Sequence, residues 1–191
     1  MNPAPPLPQT DDFRLEHLSV SARHRRLLRT FKVGNNAKGL EEYLKKWALR
    51  DELVGDSRTY LVIDAVSDEL ACYFSLRTGL IPIRNPDGTL GTVSALELAN
   101  FAANAAYVES RRPMKHIGAH VFSAFILPMA KSVSALAGAR CLCVYALPVR
   151  KLVDYYGKLG FSRLPPEQEQ FVHGRIKPDY DKGCIFMYQP L

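Results

Sequence analysis

The order of apolar segments across residues 92–146 is the feature that most constrains the fold. A strand is predicted over TVSALELANFAAN, a long helix over about residues 119–137, and a compact buried strand over CLCVYAL. Two strands joined through a helix pair in parallel, with a right-handed crossover. Ligands of such units bind at the carboxyl ends of the strands, beside the start of the crossover helix. A site is therefore expected near the stretch PMKHIGAHVF.

The remaining segments predict antiparallel strands around this unit. Residues 35–52 have helical spacing, and two segments rich in β-branched and aromatic residues, 58–66 and 69–81, form a hairpin. The turn NPDG leads into the next strand, and residues 106–118 are assigned to a loop. A helix over PVRKLVDYYGKLG, a short strand over FSRL and a last strand over GCIFMYQPL complete the order. The predicted class is α/β, with a mixed, mostly antiparallel central sheet and one parallel crossover.

The composition is that of one globular domain. The chain has 191 residues, 47% of them hydrophobic, and its sequence contains no run of the ~20 apolar residues that a membrane span needs. We assign the proline-rich residues 1–12 to a flexible tail and residues 13–191 to a single domain. Four cysteines form no metal-binding pattern, and most lie in apolar runs: Cys72, Cys141, Cys143 and Cys184. Reduced, buried thiols, a cytoplasmic location, no membrane partner and no metal are the expectations.

A basic cluster on a predicted N-terminal helix supplies part of the net charge of +6. The stretch ARHRRLLRTFK contains Arg23, Arg25, Arg26, Arg29 and Lys32. Such a cluster suits nucleic acid or another polyanion, and it equally suits a solvated helix face that binds nothing. His17 and His24 are assigned to the same helix, and they have no cysteine partners with which to hold a metal.

The stretch PMKHIGAHVF has the character of an anion-binding turn. A helix N-terminus offers free backbone N–H groups and a partial positive charge, and Gly118 allows close approach of the backbone. Phosphate is the natural ligand of such a turn, and Arg111, Arg112 and Lys115 add positive charge. His116 is compatible with a nest of N–H groups unless the turn requires a positive φ. The alternative is a basic loop that binds nothing.

Four segments in this order resemble the GNAT superfamily of acetyl-CoA-dependent N-acetyltransferases: ALELANFAAN, the basic loop ending in IG, CLCVYAL and DYYGKLGF. DYYGKLGF is similar to the fYeklGF helix ending of that superfamily, and ELANFAAN is similar to its fourth strand. The resemblance extends from about Phe31 to the C-terminus. Its front half is similar to a subgroup that includes acetyltransferase toxins. The resemblance implies a GNAT-like acyl-CoA N-acyltransferase fold, with acetyl-CoA as cosubstrate and no metal.

The pyrophosphate loop of the superfamily, Gln/Arg-x-x-Gly-x-Gly/Ala, fits this sequence in two registers. In one register, Lys115 takes the first position and Gly118 the fourth. In the other, Pro113, His116 and Gly118 take the first, fourth and sixth positions. The second register is preferred, because a Val-Phe pair then replaces the Leu-Leu that commonly follows. Both registers depart from the pattern at two of its three marked positions.

The resemblance also implies roles for individual residues. Glu97 matches the strand glutamate that is the general base of several members, and Tyr156 matches the tyrosine that protonates the coenzyme A thiolate. The alternatives are a structural carboxylate at Glu97 and a packing tyrosine at Tyr156. The pantetheine arm is expected to pair with the strand, and the pyrophosphate with the turn, through Phe101, Ala102, Ala103, Lys115, His116, Ile117, Gly118 and Ala119.

The leading hypothesis is an N-acetyltransferase that moves an acetyl group from acetyl-CoA to a primary amine by direct attack in a ternary complex. One alternative is a catalytically silent GNAT-fold module that binds a protein or senses an acyl-CoA. A second alternative is a toxin that acetylates an aminoacyl-tRNA, which suits the basic helix, although such toxins commonly lack the strand glutamate. The amine acceptor stays open, tRNA is the less favoured partner, and a homodimer is one assembly available to the fold.

Overall fold

A computed structural model describes residues 7–110, 116–175 and 183–191. Its strands are β1 (Phe13–His17), β2 (Arg58–Asp64), β3 (Leu70–Arg84), β4 (Leu90–Ala103), β5 (Cys141–Ala146), β6 (Ser162–Arg163) and β7 (Ile185–Pro190). Its helices are α1 (Ala22–Thr30), α2 (Lys38–Glu42, Tyr43–Trp47 and Ala48–Val54 in succession), α3 (Ala105–Ser110), α4 (Ile117–Ala137), α5 (Arg150–Lys158) and α6 (Pro166–His173).

The strands form a seven-stranded sheet in the order β1-β2-β3-β4-β5-β7-β6. β4 and β5 run parallel, from Ala95 opposite Cys141 to Glu97 opposite Cys143. The β1–β2, β2–β3, β5–β7 and β6–β7 pairs are antiparallel. These pairings confirm the predicted class, a mixed, mostly antiparallel sheet with one parallel strand–helix–strand crossover, in which α4 is the connecting helix.

Two compact units make up the chain: Met1–Leu76 with Asn100–Met129 (unit 1), and Arg77–Ala99 with Ala130–Leu191 (unit 2). In unit 1, α2 packs through Leu44 and Ala48 into an apolar core formed with β2 and β3. These two residues are one helical turn apart, which is the amphipathic spacing expected of a helix on a core. The unit 1 core also contains Phe31 and Tyr73, whose rings meet edge to face with centroids 5.2 Å apart.

Asn104 holds the end of β4 to two other elements of unit 1. Its Oδ1 accepts a hydrogen bond from the N–H of Lys32 at 3.1 Å, and its Nδ2 donates to the C=O of Leu70 at 2.7 Å. Its own N–H donates to the C=O of Ala71 at 2.9 Å. The side chain is buried, so both ends of the carboxamide need partners inside the protein, and both have them.

Helix α3 occupies residues that the sequence assigns to a loop. Its Tyr107 is buried and donates to Oδ2 of Asp64, at the end of β2, at 2.5 Å. Oδ1 of Asp64 accepts from the N–H groups of Val66 and Ser67 at 2.9 Å and 2.7 Å. A helix this short is not stable by itself, so tertiary contacts hold it. The loop assignment is wrong for residues 106–110 because the decisive partner, Asp64, is remote in sequence.

The segment before β1 covers the free edge of the sheet. β1 pairs with β2 on one side only, so the outward backbone groups of Phe13 and Leu15 need other partners. Thr10 binds both groups of Phe13, at 3.0 Å and 3.1 Å. The Gln9 carboxamide binds both groups of Leu15, each at 3.2 Å, accepting at Oε1 and donating at Nε2. Part of the predicted tail therefore closes the edge, and residues 1–6 lie outside the described ranges.

Unit 2 has its own core, formed by β5, β7 and α6. Phe186 and Val172 are fully buried there, beside Cys141 and Cys143. The short helix α6, absent from the sequence prediction, supplies Val172. All four cysteines of the chain are buried and reduced, which confirms the prediction for them.

The crossover helix α4 begins in the core of unit 1, where Val121, Phe125 and Ile126 are fully buried. A π turn over Phe122–Ile126 ends two residues before Pro128, so the wider turn lies close to the residue that has no N–H to donate. By length and composition alone, with 21 residues and a mean hydropathy of 1.3, this helix could cross a membrane. Within the described residues it is one helix of this kind, with 28% of its most apolar window buried, and a single such helix is weak evidence for a membrane span.

His17 and His24 lie on different elements, contrary to the sequence analysis. His17 is the last residue of β1, and its Nε2 lies 2.9 Å from Oε1 of Glu52. His24 is buried in α1, with Nε2 2.9 Å from Oε2 of Glu16. Each histidine is thus paired with a separate carboxylate.

Asp64 gives the protein a predictable acid sensitivity. Burial disfavours its charged form, but hydrogen bonds from Ser67, Tyr107 and Val66 outweigh that effect and lower its pKa to about 2. Its unfolded-state pKa is about 4, so the stabilisation is complete above that pH and is lost as the pH falls towards 2. We expect Asp64→Asn to lower the free energy of unfolding by up to about 2 kcal/mol at neutral pH, and by almost nothing near pH 2.

Urea unfolding of wild type and Asp64→Asn at the two pH values measures this difference. Asp11→Asn, at an exposed aspartate outside the network, is the control and should leave the free energy of unfolding unchanged. Equal losses for Asp64→Asn at both pH values would contradict the prediction.

Candidate active site

Glu97 is buried in the middle of β4, in unit 2, and forms an ion pair there. Both of its carboxylate oxygens accept from Arg77 of β3: Oε2 from Nε and Oε1 from Nη2, each at 2.9 Å. The pairing of β4 with β5 sets Glu97 opposite Cys143. Because side chains alternate along a strand, Glu97 shares a face with Ala95 and the apolar core of unit 2. A carboxylate in such surroundings requires a partner, and the bidentate arginine provides one.

The surroundings of Glu97 set the proton affinities of this cluster. Burial raises the pKa of the Glu97 carboxyl, while the charge and hydrogen bonds of Arg77 act in the opposite direction. Burial also raises the pKa of the Cys143 thiol, and the Glu97 charge adds to that effect. Burial raises the pKa of the Tyr145 hydroxyl in the same way. Cys143 is therefore a protonated thiol at neutral pH, and a protonated thiol is a poor nucleophile.

Tyr156 is held by the geometry that ends helix α5. The N–H of Phe161 donates to the C=O of Tyr156 at 3.1 Å, and the N–H of Gly160 donates to the C=O of Gly157 at 3.1 Å. Gly160 has φ +94°, so these are the two bonds and the left-handed residue of a Schellman motif. The Phe161 ring packs edge to face on Tyr156 with centroids 5.5 Å apart. The YYGKLGF pattern thus fixes a buried tyrosine at the end of a helix.

The residues expected to hold the cofactor belong to unit 1. Phe101, Ala102 and Ala103 are half-buried at the end of β4. Within the described residues, the parallel pairing with β5 ends at Glu97, and β4 continues alone on that side to Ala103. Backbone groups of a strand that has no partner on one side are those that an extended ligand arm pairs with.

The turn before α4 adopts the conformation that favours glycine. His116 precedes the helix with φ +84° and ψ +28°, in the left-handed region, and its side chain is exposed. Ile117, Gly118 and Ala119 form the first turn, whose N–H groups have no carbonyl within the helix. Glycine adopts such a φ without strain, and the preferred register sets His116 at a glycine position of the superfamily pattern. Lys115 and Pro113 lie outside the described residues, so nothing tests their assignments.

The structure reveals one residue that the sequence analysis does not single out, Arg77. Its signal was an arginine in an otherwise apolar strand, YFSLRTGLI, but its partner Glu97 lies twenty positions further on. Among the described residues, no group of three or more His, Cys, Asp or Glu side chains is arranged to hold a metal ion.

Comparison with known proteins gives a structural match without a sequence match. No protein-family model matches the chain. No curated protein matches it either. AtaT complexed with acetyl-methionyl-tRNAfMet aligns over 94% of this chain and 95% of its own, with a TM-score of 0.69 and 17% identity. A mutant AtaT toxin bound to the C-terminus of the antitoxin AtaR and acetyl-CoA aligns over 94% of each chain, with a TM-score of 0.65 and 17% identity.

A mutant of KacT, in which a tyrosine is replaced by phenylalanine, aligns over 94% of this chain and 95% of its own, with a TM-score of 0.64 and 16% identity. The chain has a GNAT-like fold. At such low identity the match extends to the fold alone, and it confirms the fold that the motifs predict.

The positive φ of His116 predicts an unusual effect of glycine. In the left-handed region a Cβ atom costs roughly 1 kcal/mol, which glycine avoids. We expect His116→Gly to raise the free energy of unfolding by roughly 0.5 kcal/mol, after the greater flexibility of glycine in the unfolded chain is deducted. His116→Val, with a β-branched side chain, should lower it by about 1 kcal/mol. Urea unfolding of wild type, His116→Gly and His116→Val measures the order of their stabilities.

His120→Gly is the matched control, because His120 lies inside the same helix. This substitution should lower the free energy of unfolding by about 1 kcal/mol, whereas His116→Gly should raise it. A loss of stability for His116→Gly would contradict the left-handed conformation of this residue.

Proposed function

We propose that this protein is an N-acetyltransferase that moves an acetyl group from acetyl-CoA to a primary amine by direct attack in a ternary complex. The observation that carries the proposal is Tyr156, buried and held by a Schellman motif in a chain with a GNAT-like fold. Support also comes from the structure of AtaT with acetyl-CoA, which this chain matches over nearly its full length. A cytoplasmic location is part of the proposal, since the buried thiols are reduced.

The proposed contacts with acetyl-CoA are made by residues of unit 1. The pantetheine arm of acetyl-CoA pairs with the backbone of β4 over Phe101, Ala102 and Ala103, where β5 no longer occupies that side. The pyrophosphate binds the N–H groups of the first turn of α4, from His116 to Ala119, where the helix dipole favours an anion. Lys115 would add a charge to the same turn.

The proposed chemistry has one bond-forming and one bond-breaking step. The neutral amine attacks the thioester carbonyl carbon, and the oxyanion that forms accepts a hydrogen bond from a backbone N–H of β4. The tetrahedral intermediate then expels the coenzyme A thiolate, which takes a proton from Tyr156. The products are an amide and free coenzyme A, and the proton lost by the amine later restores Tyr156 through solvent.

Glu97 is the proposed general base, acting directly or through a water molecule. Burial favours this role because it raises the pKa of the carboxyl towards the range in which a base works. The ion pair with Arg77 favours a competing role, in which Glu97 only positions the arginine. The two roles differ in the pH dependence of the rate, because only a base must lose its own proton before the amine can react.

Binding of acetyl-CoA is the first prediction of this proposal. Calorimetric titration should give saturable binding to the wild type, and Gly118→Trp should abolish it, because an indole at the first turn of α4 fills the space of the pyrophosphate. Gly39→Trp is the matched control: Gly39 is exposed, a side chain there meets nothing within 4 Å, and its variant should bind normally. Absence of binding at millimolar acetyl-CoA would overturn the acetyltransferase proposal.

Substitutions of the proposed acid, Tyr156, and of the proposed base, Glu97, should differ in how kcat depends on pH. Tyr156→Phe should lower kcat by about 100-fold or more at every pH, with unchanged affinity for acetyl-CoA, because only the acid is lost. Glu97→Gln should lower kcat and remove the rise of the rate with pH, if Glu97 is the base. Release of free thiol from acetyl-CoA, with a panel of primary amines and aminoacyl-tRNA, measures both.

Tyr155→Phe is the matched control for Tyr156→Phe, since Tyr155 is the adjacent tyrosine of α5. An intact pH dependence in Glu97→Gln would assign Glu97 to positioning Arg77. Binding of acetyl-CoA without turnover on any amine would favour the silent, acyl-CoA-sensing module instead.

A second candidate narrows the acceptor to aminoacyl-tRNA and is favoured by the exposed basic side of α1. Arg25, Arg26 and Arg29 are exposed, whereas Arg23 is engaged with Glu16 and Asp68 at 2.5 Å and 2.6 Å. AtaT, which this chain resembles in fold, has been solved with acetyl-methionyl-tRNAfMet and with its antitoxin. Growth arrest on expression, relieved by the product of a neighbouring gene for a small DNA-binding protein, would support a toxin with an antitoxin partner.

A further inference from the structure

Trp47 is an exposed aromatic residue whose position the core of unit 1 does not require. It is the single tryptophan of the chain, and 47% of its surface is accessible. Its neighbours Leu44 and Ala48 make the buried contacts of α2, so the apolar side of the helix is complete without it. A large aromatic ring left in solvent is a candidate contact for a ligand.

The surroundings of Trp47 are basic. The guanidinium carbon of Arg50 lies 5.8 Å from the centre of the indole ring, within the range of a cation–π contact. Helix α1 packs against the Tyr43–Trp47 turn, and it carries the exposed Arg25, Arg26 and Arg29. Across the described residues, none of these three arginines, nor Arg50, forms an ion pair. Two adjoining helices thus carry exposed guanidinium groups that form no ion pair within the described residues.

The glutamates of α2 are already engaged. Glu41 pairs with Lys45 at 2.5 Å, and Glu42 pairs with Lys46 at 2.6 Å. Glu52 is buried and accepts from Arg58 at 2.8 Å. Asp51, one turn after Trp47, is half-buried and interacts with the Tyr43 hydroxyl. The exposed Arg25, Arg26, Arg29 and Arg50 outnumber this one carboxylate, which favours an anionic ligand over a neutral apolar one.

We propose that Trp47 is a stacking site for an unpaired base of RNA, with the sugar–phosphate backbone held by Arg50 and by the exposed arginines of α1. An aromatic ring among cations is the arrangement by which proteins bind single-stranded nucleic acid, because every base has a face to stack and every linkage carries a charge. The inference rests on the proposed RNA acceptor, and it identifies the region of the acceptor that this chain contacts as unpaired.

The uniqueness of Trp47 makes the test direct, because all tryptophan fluorescence comes from this ring. Titration with single-stranded oligouridylate should quench that fluorescence in a saturable way, since a stacked base is in contact with the indole. Polyphosphate, which carries the charge without bases, should bind the arginines and leave the fluorescence nearly unchanged. No quenching at saturating RNA, or equal quenching by polyphosphate, would overturn the proposal.

Variants then separate stacking from charge. Trp47→Ala should weaken binding of a dye-labelled RNA by about tenfold or more and Trp47→Phe by less, with an unchanged dependence on salt. Leu53→Ala is the matched control, an exposed apolar residue of the same helix, and should bind normally. An equal loss in Leu53→Ala would instead indicate an apolar face for a protein partner and contradict the stacking site.

Acetyl-CoA titration of Trp47→Ala keeps this proposal distinct from the enzymatic one. Normal acetyl-CoA affinity together with weakened RNA binding is the expected pair of results. Normal acetyl-CoA binding to the wild type without RNA quenching would remove the stacking site and leave the acetyltransferase. If the wild type shows neither acetyl-CoA binding nor quenching by RNA, both the acetyltransferase proposal and the stacking site are overturned.

Discussion

The parallel pairing of β4 with β5 is the constraint on which the arrangement of the chain depends. Within the described residues, three residue pairs form it, from Ala95–Cys141 to Glu97–Cys143. Parallel neighbours cannot be joined by a tight turn, so the chain must leave β4, run through α4 and return. The turn that opens α4 therefore follows the carboxyl end of β4, and one segment of chain carries Glu97, the strand end Phe101–Ala103 and the left-handed His116 in succession.

The sequence predicts the elements whose structure is determined by residues within the element itself. α2 has apolar residues at helical spacing, and the hairpin of β2 and β3 is rich in β-branched and aromatic residues. The end of α5 is determined by residues that are close together in the sequence. Gly160 permits the left-handed turn, and the Phe161 ring packs on Tyr156. The glycine and the aromatic residue are both visible in the sequence, so both the boundary and the buried tyrosine could be predicted.

The elements that the sequence analysis misses depend on remote partners or on weak patterns. β1 alternates apolar and charged residues over only five positions, next to a proline-rich segment that masks the pattern. α3 is held by Tyr107 and Asp64, whose separation along the chain hides the contact. α6 had a usable signal, a proline at its start with Glu167 and Glu169 in the first turn. In the site, the pairing of Arg77 with Glu97 is a property of neighbouring strands that composition does not reveal.

The hydrogen bonds between the Gln9 side chain and β1 affect how copies of this protein can associate. A carboxamide has the same donor and acceptor as a peptide group, so Gln9 stands in for one residue of a neighbouring strand. An incoming strand could not reach Leu15 without first displacing it. Residues 7–10, which include Pro8 with no N–H to donate to a β ladder, thus hinder edge-to-edge pairing between copies of this chain.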